Sequence, residues 1–147
     1  MHTIKTHVRR TKLADIPELT NLSKELGYPS TISQIRKRLD KIQKSKSDII
    51  LVAVEKGTVI GWIHVLSTLR LESDPFAEIG GLVVSSKQRG KGVGKILVSE
   101  AEKWAKGNGL INIRVRSRTS REKTRQFYES EGYVVIKEQN VFEKSLK

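Results

Sequence analysis

Hydrophobic and polar positions along the chain change period several times, and each change marks an element. Ile4, Thr6 and Val8 alternate with polar or charged neighbours, which predicts a first strand over Thr3 to Arg9. Asp15 then reads as a helix N-cap with Glu18 three residues on and Pro17 in the first turn. Ile16, Leu19, Leu22 and Leu26 form one apolar stripe, and Gly27 ends that helix. Ser30 or Thr31 caps a second helix carrying Ile32, Ile35, Leu39 and Ile42. The β-branched run Ile49 to Val54 predicts a buried strand, Lys56-Gly57 a turn, and Thr58 to Leu66 a strand pairing back as a hairpin. Ser67 to Ala77, with Asp74-Pro75, reads as irregular, and Glu78 to Ser85 as the next strand.

Beyond a glycine-rich loop, Val93, Leu97, Ala101 and Trp104 fall on one face of a helix over Val93 to Lys106, which Gly107-Asn108-Gly109 ends. Ile111, Ile113 and Val115 alternate as a strand. Thr119 or Ser120 caps a last helix over Arg121 to Glu131, closed by Gly132. Tyr133 to Lys137 and Val141 to Lys144 read as two short strands. This order predicts a single α/β domain over residues 1–147, with one mixed sheet and helices on its faces. Its central strand–loop–helix–strand part is a right-handed crossover.

Composition narrows the chemistry. The chain has 147 residues and no cysteine, which excludes disulfides, thiolate metal sites and a catalytic thiol. Its three histidines, His2, His7 and His64, lack metal-ligand spacing, so no metal is expected. The N-terminus has no apolar signal core. Ile49 to Val54 is far shorter than the ~20 residues needed to span a bilayer. A soluble, cytoplasmic protein that does not engage a membrane is the expectation.

The net charge of +12 calls for an acidic partner, and its placement says which. Lys87 to Lys95 holds four bases and no acid, and Lys103 to Arg125 eight bases against Glu122. Arg36 to Lys46 reads as a solvated helix face. A buried strand runs through Leu82, Val83 and Val84 into Arg89-Gly90-Lys91-Gly92-Val93-Gly94-Lys95 and straight into a helix. Glycines admit a ligand close to the backbone, and a helix start offers orphan N–H groups and a positive dipole end. Together they suit a pyrophosphate. A Walker loop ending at Gly94-Lys95 fails, because Arg89 stands where glycine is needed and Ile96 follows the lysine. A dinucleotide fingerprint from Gly90 fails at Lys95.

The pattern Arg89-x-x-Gly92-x-Gly94, followed after a strand by Phe127-Tyr128-Glu129-Ser130-Glu131-Gly132-Tyr133, resembles the GNAT superfamily of acyl-CoA N-acyltransferases over nearly the whole chain. The resemblance implies a twisted mixed sheet of about six or seven strands with about four helices, splayed open beside the fourth strand. It implies acetyl-CoA as co-substrate and an amine as acceptor, with no metal. Backbone groups of Leu82, Val83 and Val84 would bond the pantetheine, and amides from Arg89 to Lys95 the pyrophosphate. Lys87, Lys91 and Arg121 would meet further phosphate. Leu82 or Val83 would polarise the thioester carbonyl, and Tyr128 would protonate the leaving thiolate. Ala77-Glu78-Ile79 matches the histone-acetyltransferase branch, which makes Glu78 the candidate base with Glu72 as fallback. The plainer reading of Glu78 is an edge carboxylate with a structural partner.

Two family positions differ. Arg121 and Thr124 stand where asparagine and alanine are common, which moves any side-chain contact to the cofactor onto Arg121. Gly80-Gly81 is unusually small and either widens the acceptor cleft or permits a bulge. A small-molecule amine is the expected acceptor, with a protein lysine or N-terminus as the alternative. From other classes stand a coenzyme A sensor without turnover and a basic nucleic-acid module. With aromatic residues at only 5% and no recognition helix, nucleic acid is not expected as a partner. Homodimerisation through Tyr133 to Leu146 is what family analogy offers.

Overall fold

The computed structural model describes residues 6–147; Thr3 to Lys5 of the first expected strand lie outside the described residues. The chain divides into two compact units, one ending at Val115 and one spanning Arg116–Lys147. The first holds strand β1 (Thr6–Arg10), a 3-10 turn at Leu13–Asp15, helices α1 (Ile16–Glu25) and α2 (Ile32–Lys44), and strands β2 (Asp48–Glu55), β3 (Thr58–Arg70) and β4 (Ser73–Val84). A 3-10 turn at Ser86–Gln88, helix α3 (Val93–Gly107) and strand β5 (Ile113–Val115) follow. The second unit holds helix α4 (Glu122–Ser130).

The five strands form one mixed sheet in the order β1-β2-β3-β4-β5, antiparallel except for the parallel β4–β5 pair. Alternation along the strands gives the sheet two apolar faces. On one, Val52, Val54 and Val83 pack with Ile16, Leu19 and Leu22 of α1 and Leu39 of α2. On the other lies α3, whose buried side is Val93, Leu97, Val98, Ala101 and Ala105. Gly61 keeps β3 close to that helix, since a Cβ there would stand 3.2 Å from Leu97 Cδ1 and 2.9 Å from the Val83 carbonyl oxygen.

Caps decide where the helices begin. Thr31 Oγ1 accepts from the Gln34 amide at 3.1 Å and Gln34 Oε1 accepts from the Thr31 amide at 2.9 Å, a reciprocal box opening α2. Asp15 precedes α1 but makes no cap bond to it. Its carboxylate instead takes the Lys12 amide at 2.9 Å and the Arg9 guanidinium at 2.8 and 2.9 Å. Glu18 reaches across to accept the Val59 amide of β3 at 2.6 Å.

Four expectations are corrected. Ser67 to Ala77 is not irregular: β3 runs on to Arg70, Leu71 and Glu72 turn, and Thr68 pairs with Phe76. Pro75 fits there because its missing N–H lies on the side where β4 has no partner until Ala77 meets Ile113. The final alternating segments, Tyr133 to Lys137 and Val141 to Lys144, form no strands, so among the described residues the sheet has five strands rather than six or seven. A strand is defined by its ladder, and Val134, Ile136, Val141 and Phe142 are exposed. Strand β5 starts at Ile113, not Ile111, which is exposed. Arg121, rather than Thr119 or Ser120, occupies the N-cap of α4, without a side-chain cap bond.

Candidate acetyl-transfer site

Strand β4 carries the site because its two ends are treated differently. Ala77, Glu78 and Ile79 pair with Ile113, Arg114 and Val115 of β5, and there the pairing stops. Val65 pairs with Ile79 and His64 with Gly81, which leaves Gly80 unmatched as a bulge. Beyond it, Ser85 donates to the Ile60 carbonyl at 2.8 Å, so Ser85 and Val83 turn their backbone groups toward β3. By alternation Leu82 and Val84 turn their N–H and C=O groups outward, along an edge that β5 does not cover. Of the three residues expected to bond an extended ligand, two face the open edge and Val83 faces Trp62.

The strand then delivers the chain into the loop. Ser86 is tied to the end of α1, its hydroxyl and amide donating to Glu25 Oε1 at 2.8 and 3.3 Å. Gly90 and Gly92 both have φ of 81°, left-handed backbone that favours glycine. Gly92 is the N-cap of α3, and the first ladder bond runs from the Ile96 amide to the Gly92 carbonyl at 3.1 Å. The amides of Val93, Gly94 and Lys95 therefore precede the ladder, with no acidic residue in the first turn to cap them. Lys87, Arg89, Lys91 and Lys95 are exposed around this start. Backbone donors, the helix dipole and four cations together make a polyanion cradle.

On the face of the sheet that bears Trp62, a polar cluster adjoins the bulge. Glu78, half-buried, accepts from Thr68 Oγ1 at 3.4 Å. His64 Nε2 lies 2.8 Å from Asp48 Oδ2, while Asp48 Oδ1 accepts from Ser45 Oγ at 2.7 Å. Burial works to raise the Asp48 carboxyl, but the hydrogen bonds from His64 and Ser45 hold it below the usual carboxylate range. The fallback Glu72 stands at the β3–β4 turn, largely exposed and 3.9 Å from Arg70. Sequence reading missed Asp48 and His64. The hairpin counted out from Lys56-Gly57 carries the trace of them, since it sets an aspartate and a histidine on one face of neighbouring strands.

In the second unit, α4 presents Tyr128 as its buried residue. Its ring meets Phe127 and Tyr133 edge-on at 5.0 and 5.4 Å. Of the adjacent aromatic pair, Tyr128 is thus the packed member and Phe127 the half-buried one. Burial pushes the Tyr128 phenol up to about 12. Arg121 is exposed at the helix start.

Known proteins share this fold. Residues 14–133 match the family described as the acetyltransferase (GNAT) family. An uncharacterized N-acetyltransferase of Chlorobaculum tepidum is 29% identical over 135 residues, covering 91% of this chain and 79% of its own. A GNAT family acetyltransferase of Staphylococcus aureus superposes with a TM-score of 0.77 at 24% identity, covering 97% of this chain and 100% of its own. An aminoglycoside N-acetyltransferase solved in complex with CoA gives a TM-score of 0.86 at 15% identity, covering 99% and 98%.

Proposed function

As the chain belongs to the acetyltransferase (GNAT) family and is an N-acetyltransferase, we propose that it takes acetyl-CoA and moves the acetyl group directly to a primary amine of a small, cationic molecule in the cytoplasm. The observation that carries this reading is the open edge of β4 at Leu82 and Val84, running into the amide-lined, cation-ringed start of α3. A pantetheine arm takes its backbone bonds from an unpaired strand edge as a further strand would. The outward amides of Val93 to Lys95, with Arg89, Gly90, Lys91 and Gly92, suit the pyrophosphate, and Arg121 is assigned to the remaining phosphate.

The fold shared with a CoA-bound aminoglycoside N-acetyltransferase supports the co-substrate. Within the reading, the outward Leu82 amide polarises the thioester carbonyl. The Tyr128 phenol, held protonated by burial, supplies the thiolate with its proton. Glu78 on β4 and Asp48 on β2, at the same level with β3 between them, give the sheet face a negative field for an ammonium.

The first test is calorimetric titration with acetyl-CoA and, separately, ATP. Binding of acetyl-CoA without response to ATP is expected, followed by turnover in a screen of aminoglycosides, polyamines, amino-acid derivatives and a lysine peptide. Turnover of the peptide alone would move the acceptor to proteins. Gly92→Val forces a β-branched residue into left-handed backbone, a strain of about 1–3 kcal/mol, although a Cβ at Gly92 meets nothing within 4 Å. Acetyl-CoA affinity is expected to vanish while the fold survives by circular dichroism. Retained affinity would show that this loop does not hold the pyrophosphate.

A further inference from the structure

The acetyl-transfer reading leaves one step without a dedicated residue, the removal of a proton from the incoming ammonium. A lysine-like amine costs roughly 4–5 kcal/mol to deprotonate at neutral pH, so a placed acceptor matters. The face of the sheet beside the bulge offers two kinds of group. Glu78 is a carboxylate engaged by Thr68. His64 is an imidazole already oriented by a carboxylate, and that orientation defines its chemistry.

Asp48 accepts at both oxygens, Oδ1 from Ser45 at 2.7 Å and Oδ2 facing His64 Nε2 at 2.8 Å. Its carboxyl is held ionised below the usual range, so it has no proton to give. A carboxylate only accepts, so Nε2 must carry the hydrogen, and in the neutral ring the lone pair is on Nδ1. Nδ1 points at the bulge: a Cβ built on Gly80 would stand 3.1 Å from it and 3.3 Å from Leu66 Cδ2. Gly80 is exposed, and glycine at that position leaves open the space a side chain would fill over the imidazole. Gly80 is also two residues before Leu82, whose amide faces the open edge. The basic nitrogen thus lies over the strand at Gly80, two residues before the amide assigned to the thioester.

We propose that His64 is the proton acceptor of the reaction, taking the ammonium proton on Nδ1 above Gly80, and that Asp48 is the positioning residue that fixes its tautomer. The proposal rests on the acetyl-transfer reading and replaces Glu78 in the role of base. Glu78 keeps the electrostatic one. The ammonium gives one proton to Nδ1, the freed nitrogen lone pair forms the C–N bond, and the C–S bond breaks with its electrons on sulfur. The second nitrogen proton balances the one taken up by the thiolate, and His64 returns its proton to water. The charged groups nearest it on this face are Asp48 from β2, Glu78 from β4, and Arg70 and Arg114, whose guanidinium carbons lie 5.6 and 4.0 Å from the Phe76 ring centroid; Arg9 of β1, opposite Val52 on the same face, is held by Asp15.

The test is long-range proton–nitrogen correlation spectroscopy on protein labelled in its histidine rings, with His64 assigned by its disappearance in His64→Gln. That variant retains a donor toward Asp48. At neutral pH the His64 signal is expected in the Nε2–H form, and saturating acetyl-CoA is expected to shift Nδ1. In Asp48→Asn the ring should lose its single tautomer. An Nδ1–H form overturns the proposal. So does a silent His64 when the Gly90 and Gly92 amides respond to acetyl-CoA, an outcome that leaves the acetyl-transfer reading standing. Silence at all of these sites overturns both. With kanamycin or spermidine, whichever turns over, His64→Gln should lower kcat about 10²-fold, leave the acetyl-CoA KM unchanged and remove the acidic limb of the rate profile. A wild-type profile in His64→Gln with a loss in Glu78→Gln would return the base to Glu78.

Discussion

Single atoms decide how β3 and β4 meet. A Cβ on Gly81 would come within 2.9 Å of both Trp62 Cη2 and Cζ3, closer than packed atoms approach, and the indole belongs to the core beneath α1 and α2. Gly81→Ala must therefore displace either the ring or the strand. A loss of about 1–3 kcal/mol is expected, as for other overpacked sites, read from the urea midpoint. Wild-type stability would mean that the indole moves aside without cost. The Gly80-Gly81 pair was legible in sequence as small and bulge-prone, and the bulge is there. What sequence left unread is the partner of each glycine, because Trp62 and His64 reach them only through a register that the bulge itself shifts. The same reason hid His64. As an isolated histidine it carries no motif, and its meaning comes from Asp48, diagonal to it on the neighbouring strand, and the open space over Gly80.

At the scale of elements, what the chain states locally was readable and what depends on a neighbour was not. The α2 box is local: Thr31 and Gln34 are three apart and satisfy each other's amides on the surface. Leu39 is the one buried residue of α2, so this helix leans on its cap more than on its core. Thr31→Ala should cost about 1 kcal/mol, seen as a lower urea midpoint and faster exchange of the Gln34 amide. No change in either would show that packing alone sets the helix start. Asp15 has the same cap signature, but its carboxylate is claimed by Arg9 and the Lys12 amide. Asp74-Pro75 looked like a loop for a similar reason, since only the absence of a β5 partner at that level lets proline sit in β4. The final alternating segments carry strand period but form no ladder, and period alone does not make a strand. The strand–loop–helix carrying Arg89 to Lys95 was readable throughout, because the glycines, the cations and the uncapped helix start are all local.

For the chain as a whole, the shifted groups set the two limits of its stability in pH. Asp15 is 3% exposed, and burial works to raise its carboxyl. The Arg9 guanidinium and the Lys12 amide outweigh burial and hold it low; Asp48 is held low by His64 and Ser45. A carboxyl with a depressed folded value binds protons first in the unfolded chain. Its contribution is complete above the ordinary carboxylate range and is lost as the pH falls through the folded value. Tyr128 acts at the other end: its unfolded phenol ionises near 10, and the folded one only at about 12. Between those values the unfolded chain has released a proton that the folded one keeps, so stability falls as the pH climbs from about 10 to about 12. Urea unfolding across pH should therefore give a plateau through neutrality with a fall on each side. Asp15→Asn should be less stable at neutral pH and show a shallower acid fall, because the titrating group is gone. Tyr128→Phe should lack part of the alkaline fall, and should lose from the absorbance titration near 295 nm the component that ionises at about 12. An alkaline fall unchanged in Tyr128→Phe would mean that the phenol is solvated, and would remove the physical ground for the proton-donor role proposed for it.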